Sequence, residues 1–279
     1  MQFSQILQDK ILKCPVCGED LSESENGKSL YCNGAKRHCF DLAAKGYVNL
    51  SLSHSGGGDS KEAIRSRSAF LEKGFYRPFA DKLCRLLSEY VKDGLVIDAG
   101  CGEGYYTNLA AKTCGLTMLG FDLSKFGAEH GASVARREGI DNSAFAVASI
   151  YEMPVADGCA DGVINLFAPC AEEEFKRVLK DDGVLIVVGA GTDHLFGLKK
   201  AVYDEPYKND PRNDLPVTMK HIGSHKVRFD IELPEKEDRM ALFAMTPYYY
   251  RTSRADMEKL ENAIGLVTEV EFDIEVYKK

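Results

Sequence analysis

Val96-Ile97-Asp98-Ala99-Gly100-Cys101-Gly102-Glu103-Gly104 is the stretch from which the fold can be read. Its apolar start, Leu95–Ala99, is a strand, and the glycines that follow turn the chain into a helix expected over Tyr105–Lys112. Glycines here also let a ligand approach the main chain closely. A dinucleotide fingerprint would read G-x-G-x-x-G. This loop reads G-x-G-x-G, and Asp98 stands just ahead of it. A pyrophosphate seeks exposed N–H groups at a helix start and no carboxylate beside them. A sulfonium amino acid such as S-adenosylmethionine instead brings an ammonium group that local negative charge attracts. The pocket expected here combines loop amides with carboxylates and takes that nucleoside.

Outward from the loop, short apolar strands alternate with helices. Strands are expected at Thr117–Asp122, Ala144–Ala148, Gly162–Phe167 and Val184–Val188, and helices at Lys125–Glu138 and Glu172–Leu179. Continuous apolar strands separated by helices imply a parallel sheet covered on both faces. The fold class is therefore α/β, a class I S-adenosylmethionine-dependent methyltransferase domain of Rossmann-like type. Asp122 ends the second strand, where a carboxylate can accept from both ribose hydroxyls. Ala148-Ser149 closes the third strand, beside the expected adenine. After the fourth strand come Asn165, Phe167 and Pro169, a polar, aromatic and proline set able to clamp a planar base. A proline turn at an apolar strand end explains that set about as well. Residues 189–240 are polar and show no clear pattern, and a helix at Arg254–Ile264 and a strand at Val267–Val276 close the chain.

The chain divides into residues 1–50, a zinc-binding and RNA-recognition module; 51–93, a linker with helices; and 94–279, the methyltransferase domain. The first region holds Cys14-Pro15-Val16-Cys17-Gly18, then Cys32, His38 and Cys39. Two ligands on one tight turn and two on another, about 15–20 residues later, is structural zinc spacing. Cys14, Cys17 and Cys32 supply three ligands; the fourth is His38 or its neighbour Cys39. Residues 51–60, SLSHSGGGDS, read as a flexible linker. Two helices joined at GFYRP follow, broken at Gly74 and Pro78.

Composition narrows the function. No apolar run approaches the roughly 20 residues of a membrane span, and the start lacks a signal-peptide layout, so a cytoplasmic protein with reduced thiols is expected. The net charge of −8 sits poorly with a nucleic-acid partner. Locally, though, Lys61–Lys92 carries eight basic against four acidic residues, a possible basic face. An acidic total also fits a small-molecule methyltransferase whose zinc module is purely structural. Cys170 after Pro169 offers a nucleophile of the kind cytosine-C5 methylation needs, but without the surrounding motif.

Several segments together, CPVCG, HCFDLAAKGYVNL, RSAFLEKGFYRP, VIDAGCGEGYYT, GFDLSK, LFAPC, HLFGLKKAVY and MTPYYYR, resemble the 23S ribosomal RNA (guanine-N1)-methyltransferases over nearly the whole chain. The resemblance implies methyl transfer to N1 of a guanine in a hairpin loop of 23S rRNA. It also implies a homodimer whose zinc domains help form the RNA cleft. It assigns Cys14, Cys17, Cys32 and His38 to zinc, although five residues lie between Cys32 and His38 where relatives often have three. It assigns Tyr76, Glu103, Gly104 and His194 to the methyl donor, beside Asp98, Gly100, Gly102 and Asp122 from the loop itself. Read alone, Tyr76 could cap a helix junction and His194 could be an exposed histidine. Phe167 and Tyr248–Tyr250 could stack on the target base or lie in the core. Guanine N1 must also lose its proton, and no acceptor stands out in the sequence.

Overall fold

The computed structural model describes residues 3–52 and 58–279. Its N-terminal part holds α1 (Ser4–Gln8), β1 (Leu21–Glu23), β2 (Ser29–Cys32), β3 (Cys39–Asp41) and β4 (Val48–Asn49). Then come α2 (Lys61–Glu72), α3 (Arg77–Tyr90), β5 (Leu95–Ala99), α4 (Tyr105–Cys114), β6 (Thr117–Asp122), α5 (Lys125–Glu138) and β7 (Ser143–Val147). The remainder is β8 (Ala160–Leu166), α6 (Glu172–Val178), β9 (Leu179–Ala190), α7 (Phe196–Val202), β10 (Lys220–Glu232), α8 (Lys236–Ala244), α9 (Arg254–Glu261) and β11 (Val267–Lys278).

One large sheet runs β10-β11-β9-β8-β5-β6-β7-β4, and a small antiparallel sheet runs β1-β2-β3. Strands β4 to β9 of the large sheet pair in parallel, and β11 enters antiparallel to both β9 and β10. The chain reverses direction across the sheet between β5 and β8. The crevice beyond the carboxyl ends of those two strands is where such a sheet takes a ligand. Every residue of β5 is buried, as expected of a strand covered on both faces.

Local signals place the helices on this sheet. Ser124 caps α5 by accepting from the Gly127 N–H, and Gly139 ends it at a φ of +66°. Helices α4 and α5 press onto β7 through glycine. A Cβ at Gly131 would lie 2.6 Å from the fully buried Phe145 ring, so close packing there requires the missing side chain.

Two expectations change. Strand β9 begins at Leu179, immediately after α6, rather than at Val184. The segment without a readable pattern contains α7 and the 13-residue β10. Its Val227, Phe229 and Ile231 alternate on the inner side while Arg228, Asp230 and Glu232 face water, a period-2 signal present in the sequence. A boundary at residue 50 falls just behind an edge strand of the large sheet. Val48 and Asn49 pair with Ala146 and Val147, the Lys13 N–H donates to the Pro154 carbonyl at 2.8 Å, and Phe3, Ile6 and Leu12 share a core with the sheet. Of the 51–60 linker, residues 53–57 lie outside the described residues; Asp59 and Ser60 are anchored, Ser60 capping α2.

Candidate active site and metal centre

A cleft of about 920 Å³ opens at the carboxyl edge of β5, β6, β8 and β9, within the size range of ligand sites. Asp98, Gly100, Gly102, Glu103, Asp122, Tyr76, His194, Phe167 and Pro169 all line it.

Four amides of the glycine loop are engaged within the protein. The Gly100 and Cys101 N–H groups both donate to the Phe121 carbonyl at 2.9 Å, the Gly104 N–H donates to Cys101, and the Gly102 N–H donates to Asp122 at 2.9 Å. With these donors consumed inside the fold, the loop is no phosphate cradle. What it presents is carboxylate. Asp122 accepts Gly102 N–H on one oxygen and Ser124 N–H at 2.6 Å on the other, which fixes its plane and leaves further lone pairs for hydroxyl donors. Asp98 is fully buried; one oxygen accepts the Thr107 hydroxyl at 2.6 Å and the other has no partner. Burial, with Asp122 and Glu103 adding negative charge, pushes the Asp98 carboxyl up to about 7. An orphaned buried carboxylate oxygen suits a cationic group.

Glu103 is buried and paired with Arg67, which also binds Asp59 at 2.7 Å. Arg67 therefore closes the mouth of the loop from α2. Lys73 and Arg77 are likewise paired, with Asp238 and Asp81, so the basic segment is less free than its count of charges suggests. His194 is half-buried against Phe272, with ring centroids 4.6 Å apart, and its Nδ1 accepts the Glu271 N–H at 3.2 Å. That bond leaves Nε2 as the protonated nitrogen. Burial, aided by the Lys199 charge, pulls the imidazole down to about 3, so the ring is neutral. Tyr76 packs edge-on against Phe70 and Phe272 and is a buried wall of the cleft, besides preceding α3.

Gly104, Asn165, Ala148 and Ser149 do not line this cleft. Gly104, at a φ of +77°, starts α4, and a Cβ there would meet Phe145 at 2.6 Å and Gly131 at 2.8 Å. Asn165 is fully buried. It donates to the carbonyls of Ala99 and Pro169 at 3.2 Å and accepts from Arg212 at 3.0 Å, bracing the loop rather than reaching a substrate. Ala148 and Ser149 line a separate cleft of about 870 Å³ with the Cys14–Val16 knuckle, because β7 lies next to the edge strand that leads in from the ribbon. The Cys170 thiol is half-buried and pushed up to about 11 by that burial, the reverse of an activated nucleophile. By contrast, Phe167 is left-handed at a φ of +58°, with a ring 47% exposed at the cleft and braced by Phe272 at 4.9 Å. A non-glycine residue held in that region costs about 1–3 kcal/mol and persists only where its surroundings hold it there. Tyr248 and Tyr250 also line the cleft, while Tyr249 packs on Phe243.

In the ribbon, the ligand atoms of Cys14, Cys17, Cys32 and His38 all lie within 4.8 Å of one another. His38 Nδ1 is 3.5 Å from Cys14 Sγ and 3.3 Å from Cys32 Sγ, and Cys17 Sγ is 3.7 Å from Cys32 Sγ. Tetrahedral zinc with ordinary bond lengths requires edges of about 3.8 Å between sulfurs and about 3.6 Å between sulfur and nitrogen. The residues fit the ion. Gly18, at a φ of +74°, closes the first knuckle, and the His38 N–H donates to Cys32 Sγ at 3.1 Å. Cys39 is exposed on β3 opposite Tyr31, so His38 is the fourth member of the group.

Against known proteins, a family model described as "RlmA, N-terminal", a zinc ribbon, matches residues 12–51, and one described as "Methyltransferase domain" matches residues 91–244. A protein of Bacillus subtilis (strain 168), provisionally named 23S rRNA (guanine-N(1)-)-methyltransferase, is 29% identical over 95% of both chains. One from Micromonospora griseorubida with the same provisional name is 31% identical over 88% of each. The 23S rRNA (guanine(748)-N(1))-methyltransferase of Streptomyces fradiae is 30% identical over 69% of this chain and 68% of its own.

Proposed function

Because this chain belongs to the 23S rRNA (guanine-N1)-methyltransferase family, we propose that it transfers a methyl group from S-adenosylmethionine to N1 of a guanine in a hairpin loop of 23S rRNA. The observation that carries this reading is kinship along both modules, ribbon and methyltransferase domain together, which favours RNA over a small-molecule substrate. The cleft agrees with it chemically. Asp122 would take the ribose hydroxyls and Asp98 the ammonium of the donor, with Gly100, Gly102 and Glu103 beneath them and Tyr76 and neutral His194 as the wall of the methionine end. The bound donor supplies an electrophilic methyl group, and the protein's share is alignment in a site closed to water.

Phe167 and Pro169 form the face on which a flipped-out loop base would lie, since the Watson–Crick edge of a paired guanine is inaccessible. Zinc held by Cys14, Cys17, Cys32 and His38 would be structural, as four protein ligands leave no open position. The ribbon would then recognise RNA near the cleft. Two copies would pair as a homodimer to widen that surface, working in the cytoplasm where ribosomes are made. Among the described residues no helix is long and apolar enough to cross a membrane. The test is methyl transfer to unmodified 23S rRNA fragments, with the modified nucleotide mapped by mass spectrometry. Incorporation at guanine N1 is expected, and no incorporation into any fragment would overturn the reading.

A further inference from the structure

Methylating guanine N1 displaces the proton it carries, and a transfer that reaches useful rates needs an acceptor within hydrogen-bond reach. Six carboxylates line the cleft: Asp59, Asp98, Glu103, Asp122, Asp210 and Asp214. Five are committed. Asp59 and Glu103 neutralise Arg67. Asp98 is buried and accepts the Thr107 hydroxyl, and Asp122 is held by two backbone amides. Asp214 accepts the Cys170 N–H at 3.0 Å and the Arg212 guanidinium. Only Asp210 has neither a hydrogen bond nor an ion pair among the described residues, and it is exposed at the cleft.

Its backbone is nonetheless held. On one side, the Asn209 N–H donates to Thr192, and its side-chain amide donates to the carbonyls of Gly191 and His194 at 3.0 and 2.9 Å. The buried Lys199 ammonium donates to Asn209 from below at 2.7 Å. On the other side, Arg212 donates to the carbonyls of Val188 at 2.9 Å and Ala168 at 2.7 Å. Asp210-Pro211 is thus a short bridge pinned between the turn after β9 and the loop after β8. Phe167 and Pro169 belong to that same loop. A carboxylate on a fixed backbone, lining the same cleft as Phe167 and Pro169 and coupled only at longer range to the Lys199 charge, is placed to serve as a base.

We propose that Asp210 is the catalytic base of this site, accepting the N1 proton of the target guanine, an inference that rests on the guanine-N1 reading above. The N1–CH₃ bond forms as the methyl–sulfur bond breaks, the bonding pair stays on sulfur, and the N1 proton passes to an Asp210 oxygen and then to water. The same carboxylate selects the base. Guanine presents N1–H and N2–H side by side, a pair of donors that one carboxylate accepts, whereas adenine presents a lone pair at N1.

The experiment compares wild type, Asp210→Asn and Asp210→Glu on an unmodified 23S rRNA fragment. It reads kcat against pH, KM for RNA, and S-adenosylmethionine affinity by calorimetry. Asp210→Asn is expected to lose about 10²- to 10⁴-fold in kcat. Its cofactor affinity stays within about twofold of wild type, and its residual rate climbs with pH as the base sheds its own proton. Asp210→Glu regains part of the rate. Retention of kcat within about threefold at neutral pH overturns the assignment, and so does a cofactor affinity that falls in step with the rate. A wild type that methylates no guanine N1 instead removes the parent reading, an outcome distinct from both.

Discussion

Replacing Asp98 with Asn tests the electrostatics on which cofactor binding rests. The Asp98 carboxyl sits at about 7 in the folded protein against an ordinary 3.8, because burial disfavours its charge. Between those values the native state holds a proton that the unfolded chain has lost, so stability falls as pH rises through the window. At 1.36 kcal/mol per pH unit, the span amounts to about 4 kcal/mol, fully lost above the folded value. The Asn variant carries no such proton. Urea unfolding of ligand-free wild type and Asp98→Asn, at a series of pH values from about 4 to 8, should therefore show the stability difference shifting toward the variant by about 4 kcal/mol. The change across pH is the readout, since the absolute offset also contains the Thr107 hydrogen bond. Binding gives a second measure. A ligand ammonium beside Asp98 restores its charge, so calorimetry at pH 7 in buffers of different ionisation heat should detect release of about half a proton in wild type and none in the variant. A stability difference that stays flat with pH, together with unchanged cofactor affinity, would refute the assignment of Asp98 to the ammonium.

Other perturbations probe different parts of the molecule. Cys17→Ser, at an exposed ligand with little packing role, should drop bound zinc below about one per chain, read by metal analysis, and lower the thermal midpoint of the ribbon. Gly104→Ala forces a side chain into left-handed backbone against Phe145 and Gly131, and should cost about 2–4 kcal/mol by urea denaturation. Phe167→Ala should lower kcat/KM for RNA by about 5- to 150-fold, the equivalent of one base stack, and leave calorimetric cofactor affinity intact. His194 is depressed to about 3 from 6.5, so its neutral form stabilises the fold fully above 6.5 and loses that contribution as pH falls toward 3. Relative to His194→Gln, wild type should therefore weaken on acidification in circular-dichroism unfolding, and a parallel response in both would count against a neutral ring.

Strand β6 and helix α5 were readable to the residue, because apolar runs, Ser124 and Gly139 state their own ends within a few positions. The zinc ligands were readable for the same reason, apart from the choice of His38 over Cys39, which turns on which side chain β3 points inward. Strand β10 was legible in principle through Val227, Phe229 and Ile231 alternating with charged residues, but its first half, residues 220–226, carries no such alternation.

Asp98 and Asp122 could be placed at the cleft from sequence, since each lies at the carboxyl end of a strand whose hydrophobic period is local. Their states could not. An orphan oxygen at Asp98, Arg67 reaching 36 residues to Glu103, and Arg212 reaching 47 residues to Asn165 are sums over distant partners. The packing of Gly104 against Phe145, the bracing role of Asn165 and the unpaired state of Asp210 depend on the same distant partners. Secondary structure and metal spacing are written by neighbours along the chain. Burial and charge pairing, which set what a carboxylate can do, exist only once the sheet has brought remote segments to one edge.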